Sequence, residues 1–190
     1  MADFSKAYDK TMGHEGGYTN DPTDAGGETY KGISRVYNPS WSGWNIIDAA
    51  KVSSADPFPK GLDRNISLQN SVKDFYKDRY WDVNRLDEFS QAVSEELFDT
   101  GVNMGTGRAG KFLQQALNYL NRNGVLFADL AIDGAVGPAT VGAYKKLESG
   151  DEVILLTMLN VLQGRHYMDY MDKDPRQRKY ARGWFKRVQL

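Results

Sequence analysis

The sequence predicts a mainly α fold that carries one small, turn-rich lobe. Apolar residues recur at helical spacing in several long segments, whereas residues 18–34 combine glycines and a proline with polar side chains. The chain has 190 residues, 41% of them hydrophobic and 26% charged, which suits a globular protein with a sizeable core. There are no cysteines, which excludes disulfides, thiolate metal sites and cysteine nucleophiles.

The first helix is predicted over residues 3–15. Tyr8 and Met12 lie on the same face as Glu15, and glycines at 16 and 17 end the helix. The helix dipole and an apolar neighbourhood both disfavour a carboxylate at this end, so both keep the Glu15 carboxyl protonated near neutral pH. A protonated carboxyl is what a general acid for glycoside cleavage requires. The alternative is a surface glutamate beside a glycine C-cap.

The polar segment after this helix supplies further acids. Asp21 and Asp24 precede Thr29 in a stretch without regular structure before Gly27. Such a loop can bring a second carboxylate across a cleft from Glu15. Because no secondary structure fixes the direction of either side chain, Asp21 and Asp24 both stay candidates.

Aromatic residues surround this segment. Tyr18 and Tyr30 flank the acids, and we predict them in a saccharide cleft because aromatic faces stack on sugar rings. Trp44 belongs to a second aromatic group with Tyr37 and Trp41. Tryptophan and tyrosine also anchor cores, so Trp44 is assigned either to the cleft or to the core.

The Glu-Gly-Gly-Tyr sequence at residues 15–18 resembles the signature of glycoside hydrolase family 108, whose members are lysozyme-like N-acetylmuramidases of phage endolysins and bacterial secretion-linked systems. The order Glu15, Asp24, Thr29 also resembles that of phage-type lysozymes. The resemblance implies a lysozyme-like helical fold with its active site in the turn-rich lobe. It implies Glu15 as the catalytic acid, with Asp24 and Thr29 holding or activating water and Asp21 competing with Asp24.

Further helices are predicted over residues 45–52, 67–85, 90–104 and 108–120, and from Asp151 onward. Ser67 is expected to cap the second of these helices and Asp151 the last, in which Val153 is expected to be buried.

Asp99 and Asn103 lie four residues apart on one face of the helix predicted over 90–104. They either face the cleft, where they bind sugar hydroxyls or acetamido groups, or lie in solvent.

The region beyond this helix contains two glycine patterns. Residues 105–110 match the dinucleotide motif Gly-x-Gly-x-x-Gly, but that motif needs a preceding strand, so a tight turn between helices is predicted. Asp133-Gly134 lacks the spacing and closing glutamate of a calcium loop and is interpreted as a turn. Residues 130–140 resemble the helical peptidoglycan-binding module that follows family 108 domains. The two resemblances divide the chain into a catalytic region, 4–92, and a binding-type region, 93–187.

The C-terminal segment is basic although the net charge of the chain is −1. Eight basic residues and three acids lie between Arg165 and the end. The segment is either a surface for anionic wall polymers or nucleic acid, or a solvated helix face. Trp184, Phe185 and Val188 predict that it docks on the core. His14 and His166 are the two histidines, too few for a histidine zinc site.

The combined prediction is an N-acetylmuramidase that cleaves the β-1,4 bond between N-acetylmuramic acid and N-acetylglucosamine in peptidoglycan strands. We expect a monomer that uses no metal or organic cofactor, binds no nucleic acid and does not insert into membranes. No secretory signal and no apolar run approaching roughly 18 residues is visible. We therefore expect synthesis in the cytoplasm and release to the wall through a holin or a secretion route. The alternatives are a lytic transglycosylase and a non-catalytic wall-binding or secretion-assisting protein.

Overall fold

The computed structural model describes residues 1–12, 16–21, 26–53 and 57–188. The chain forms two compact units: a small unit, Tyr8–Arg79, and a helical unit, Met1–Ala7 with Tyr80–Leu190. The predicted mainly α fold is confirmed. The helices are α1 Phe4–Met12, α2 Gly43–Val52, α3 Ile66–Tyr76, α4 Gln91–Met104, α5 Thr106–Leu120, α6 Pro138–Tyr144, α7 Asp151–Lys173 and α8 Ala181–Phe185.

The small unit contains a three-stranded antiparallel sheet, β1 Tyr18–Asn20, β2 Glu28–Tyr30 and β3 Ile33–Ser34, in that order. The absence of regular structure before Gly27 was therefore a wrong expectation. Strands this short are defined by their pairing and show no readable alternation in the sequence. The core of the small unit contains Tyr30, Ile33, Ile47, Leu62, Leu68 and Val72.

The start of α3 differs from the prediction. Asn65, and not Ser67, caps this helix, since its side chain accepts a hydrogen bond from the Leu68 amide at 3.0 Å. The regular helix ends at Tyr76, and the chain continues as a π-helical turn, Lys77–Trp81. The predicted helix over 67–85 is thus a shorter α-helix followed by irregular turns.

Glycines in the helical unit form a tight connection between two helices and a close contact between a helix and a turn. The predicted helix over 90–104 is confirmed, with Ser90 as its cap, and Gly105 at φ +90° joins α4 to α5 as a tight turn. A Cβ on Gly110 would collide with the carbonyl oxygen of Gly134, and one on Gly134 would collide with that of Gly107. The glycine pattern therefore serves close packing of a turn on α5.

The 23-residue helix α7 is apolar on more than one face. Leu155 and Leu159 are buried, but Val153 is 70% exposed, because two residues of α-helix rotate a side chain about 200° away from Leu155. The predicted burial of Val153 was wrong. The predicted cap at Asp151 was also wrong, because Gly150 is the N-cap and Asp151 is the first helical residue. The Asp151 carboxylate accepts a hydrogen bond from the Glu148 amide at 3.0 Å.

The basic C-terminal segment docks on the helical unit, as predicted. Trp184 stacks on Tyr167 with 5.1 Å between ring centroids, and Phe185 and Val188 lie beside Gly164. No helix among the described residues is long and apolar enough to cross a membrane.

Candidate active site

The predicted catalytic residues are only partly within the described part of the chain. Glu15 and Asp24, like His14, lie outside it. Thr29 occupies the centre of β2, where it pairs with Thr19 of β1 and Ser34 of β3. Its hydroxyl donates a hydrogen bond to the Gly27 carbonyl at 3.2 Å, so the hydroxyl oxygen keeps its role as an acceptor.

The sheet separates the predicted site residues onto two faces. Directly paired residues share a face and neighbours along a strand alternate, so Thr29 faces the same way as Thr19 and Ser34. Tyr18 and Tyr30 pair with each other and lie on the opposite face. Asp21, exposed, follows β1 directly. The sheet therefore does not bring Thr29 and the two tyrosines together.

Two aromatic residues that were candidates for the saccharide cleft are core residues. Tyr30 is 1% exposed and its hydroxyl donates to Asp63 at 3.2 Å and accepts from Gln69 at 2.8 Å. Trp44 is 3% exposed and donates from its indole nitrogen to the Asn38 carbonyl at 2.8 Å. Neither ring has a free face for a sugar, so the cleft placement of Tyr30 was wrong and the core alternative holds for Trp44.

Tyr18 differs because it is half-buried at the edge of the sheet. Its ring lies edge-on to Phe58 at 4.7 Å, and Lys51 lies 5.9 Å from its centroid. Burial and a hydrogen bond with Glu28 raise the pKa of the Tyr18 hydroxyl. Tyr18 therefore stays neutral at physiological pH and remains accessible in part.

A charge cluster beside β2 was missed by the sequence reasoning. Glu28 forms ion pairs with Arg35 at 3.0 Å and Lys51 at 2.6 Å, although its side chain is only 11% exposed. Asp48 on α2 binds the same two cations, at 2.7 Å and 3.0 Å. Hydrogen bonds from Arg35 and Lys51 lower the pKa of Asp48 to about 2. We define Glu28, Arg35, Asp48 and Lys51 as the charge cluster; it ties the strands to α2.

The predicted sugar ligands on α4 are used inside the helical unit. The Asp99 carboxylate accepts from Gln163 at 3.1 Å and from Arg187 at 2.6 Å. Asn103 donates to the Asp99 carbonyl at 2.8 Å and is exposed, so the solvent alternative describes Asn103. Asp99 thus fastens α7 and the C-terminal segment to α4, and neither predicted alternative, cleft or solvent, describes it.

Acidic side chains and His166 lie within the described ranges. No group of three or more histidine, aspartate or glutamate side chains there is arranged to hold a metal ion. The Asp133 carboxylate accepts from Gln114 and from the Ala135 amide, each at 2.8 Å. It organises a turn, as the sequence predicted.

The chain is a helical protein with a small β lobe, and a solved structure shares this fold. The structure of Brucella abortus SagA superposes with a TM-score of 0.60 and 23% identity, over 97% of this chain and 88% of that one. At this identity the likeness concerns the fold alone. A search of curated protein sequences gave no significant match.

The family model described as Glycosyl hydrolase 108 matches residues 8–105, and one described as Predicted Peptidoglycan domain matches residues 108–189. The chain belongs to the glycosyl hydrolase 108 family, as its Glu-Gly-Gly-Tyr motif predicted. The two matches together support a peptidoglycan hydrolase. The predicted boundary between residues 92 and 93 stays a prediction.

Proposed function

We propose that the protein is an N-acetylmuramidase that hydrolyses the β-1,4 bond between N-acetylmuramic acid and N-acetylglucosamine. The observation that carries the proposal is the family match over residues 8–105, which contains the Glu15, Asp24 and Thr29 order. Glu15 donates its proton to the leaving glycosidic oxygen, and an oxocarbenium-like state forms. No metal or organic cofactor takes part.

Water completes the reaction with the help of Asp24 and Thr29. The Thr29 hydroxyl hydrogen is engaged by the Gly27 carbonyl, so its oxygen accepts a hydrogen bond from the water. Asp24 then takes the proton of that water, with Asp21 as the competing base. A separation of about 6.5–9.5 Å between the two carboxyl groups leaves room for this water and gives inversion. At a separation of about 5–5.5 Å the second carboxylate would instead attack the sugar, water would hydrolyse the resulting glycosyl-enzyme, and the configuration would be retained.

The substrate is the bacterial cell wall, on which we propose that the protein acts as a monomer. Residues 108–189, the peptidoglycan-type match, hold the glycan strand while the small unit performs the chemistry. The protein is made in the cytoplasm and released to the wall by a holin or a secretion route. Nucleic acid is not a partner.

Mass spectrometry of digested sacculi in water enriched in oxygen-18 tests this reaction. Hydrolysis predicts reducing N-acetylmuramic acid ends that carry one heavy oxygen. Anhydro-muramic ends without the label would replace the hydrolase by a lytic transglycosylase. Reducing N-acetylglucosamine ends would move the cleaved bond to the other glycosidic linkage.

A further inference from the structure

A row of aromatic side chains crosses the surface of the helical unit. Its members follow one another as Phe112, His166, Tyr170, Trp184 and Tyr180, with successive ring centroids 6.3, 6.5, 6.0 and 5.7 Å apart. We call this set the aromatic row. All five residues fall within 108–189, and none of them is assigned to the catalytic lobe.

The row combines a fixed base with an exposed outer part. Trp184 is anchored by its parallel stack on Tyr167, which is 4% exposed. Tyr170 and Tyr180 flank Trp184 and are 44% and 48% exposed. Exposed aromatic rings that are held in place lose little conformational entropy when a ligand stacks on them.

Cations lie beside the row. Arg108 contacts the His166 ring nitrogen Nδ1 at 3.4 Å, and the Lys179 ammonium lies 4.8 Å from the Tyr180 centroid. Burial, then Arg108, with a smaller contribution from Lys173, lowers the pKa of His166 against the opposing effect of Asp169. The imidazole is therefore neutral at physiological pH, and the positive charges of this surface are the arginine and the lysines.

We propose that the aromatic row is a glycan-binding surface for the peptidoglycan strand, with sugar rings on Tyr170, Trp184 and Tyr180 and stem-peptide carboxylates on the adjacent cations. The proposal rests on peptidoglycan being the substrate. Along the chain, Asp169, Asp172 and Asp174 lie between Arg165 and Arg176, with Lys173 among them. Interspersed acids suit a strand of neutral sugars with isolated carboxylates, whereas a nucleic acid backbone needs a continuous basic groove.

Co-sedimentation with purified sacculi tests the aromatic part of the proposal. The parent of all variants is the full chain with Glu15→Gln, and the release of soluble fragments is measured in the same samples. Tyr170→Ala with Tyr180→Ala should weaken binding about tenfold. Tyr119→Ala is the matched control, since Tyr119 is 64% exposed in the same unit and lies outside the row. Thermal melting of each variant checks that the fold is intact.

A second pair of variants tests the charges. Lys173→Gln with Lys179→Gln should weaken binding several-fold at low salt and remove most of its salt dependence, whereas Lys146→Gln, an exposed lysine elsewhere in the unit, should change neither. Equal sedimentation of the tyrosine double variant and the Tyr119→Ala control would overturn the proposal. The proposal would also be overturned if the parent bound a single-stranded oligonucleotide and the lysine double variant lost that binding while it still sedimented with sacculi.

The proposal and the proposed chemistry fail separately. If wild type releases no labelled ends but the tyrosine double variant still loses sacculus binding, the surface assignment stands and the muramidase activity falls. If wild type cleaves but the double variant binds normally, the activity stands and the surface assignment falls. If neither parent nor wild type sediments with sacculi, the surface assignment is overturned.

Discussion

The two units hold their polar groups in different ways. In the small unit, four charges of the charge cluster tie short strands to α2, and all of them keep some contact with solvent. In the helical unit, buried side-chain amides connect the elements by hydrogen bonds. Gln114 accepts from the Gly134 amide, and Gln163 donates to the Asp99 carboxylate. Strands of two or three residues bury too little apolar surface to be stable without further contacts. Long helices bury large apolar faces, and a few hydrogen bonds are enough to fix their relative positions. The stability of the small unit should therefore depend on pH and salt, whereas the stability of the helical unit should depend on the size and shape of its packed side chains.

The largest effect is expected from filling the contact between α5 and the following turn. Gly110→Ala places a methyl group against the Gly134 carbonyl oxygen and should destabilise the helical unit by about 3 kcal/mol. Gly142→Ala in α6 has no atom within 4 Å of the added methyl and should stabilise by about 0.5–1 kcal/mol. Urea denaturation of both variants measures the contrast. Two variants of equal stability would show that the close approach is not a real constraint.

The next effect concerns the centre of the charge cluster. Glu28→Gln removes the charge that Arg35 and Lys51 share, and should cost the small unit about 1–2 kcal/mol. Asp9→Asn is the control, because Asp9 forms an exposed pair with Lys73 at 3.9 Å and should cost less than about 0.5 kcal/mol. Hydrogen exchange of the β2 and β3 amides gives the local readout. Equal acceleration of exchange in both variants would contradict the prediction that the Glu28 ion pairs stabilise the small unit more than the exposed Asp9 pair does.

The pH dependence follows from Asp48 in the same cluster. Its folded pKa of about 2 lies below the ordinary aspartate value of 3.8, so the folded state binds fewer protons than the unfolded state between these values. The contribution of Asp48 to stability is therefore present above pH 3.8 and is lost as the pH falls towards 2. Asp48→Asn should reduce the fall of the melting temperature as the pH is lowered from 3.8 towards 2. Parallel curves for wild type and variant would contradict the assignment.

The smallest effect should have the opposite sign. The Tyr167 hydroxyl is buried without a hydrogen-bond partner among the described residues, and burial raises its pKa to about 12. Tyr167→Phe should therefore stabilise the helical unit by about 0.5–1 kcal/mol. Tyr144→Phe should destabilise it by about 1 kcal/mol, because the Tyr144 hydroxyl donates to Glu152 at 2.7 Å and accepts from the Ser90 amide. Differential scanning calorimetry resolves both changes, and a destabilised Tyr167→Phe variant would reveal a partner for that hydroxyl.

Local signals predicted the helices well and the contacts between them poorly. Ser90 and the periodicity after it sufficed to predict α4, because a cap and an apolar face act within one helix. Asn65 and Ser67 are both cap formers, and the extended backbone at Asn65, which decides between them, is not visible in the sequence. The use of Asp99 depends on Arg187, which lies 88 residues away. The burial of Tyr30 likewise depends on a pairing that strands of three residues do not reveal.

The most direct test of the central claim is the loss of turbidity of purified Gram-negative sacculi with wild type and Glu15→Gln. The change keeps the size of the side chain and removes the proton that the mechanism donates. Glu148→Gln, the same change at an exposed glutamate outside the proposed catalytic and binding residues, serves as the control. We predict clearing by wild type and by the control, and none by Glu15→Gln. Equal clearing by all three would contradict Glu15 as the catalytic acid.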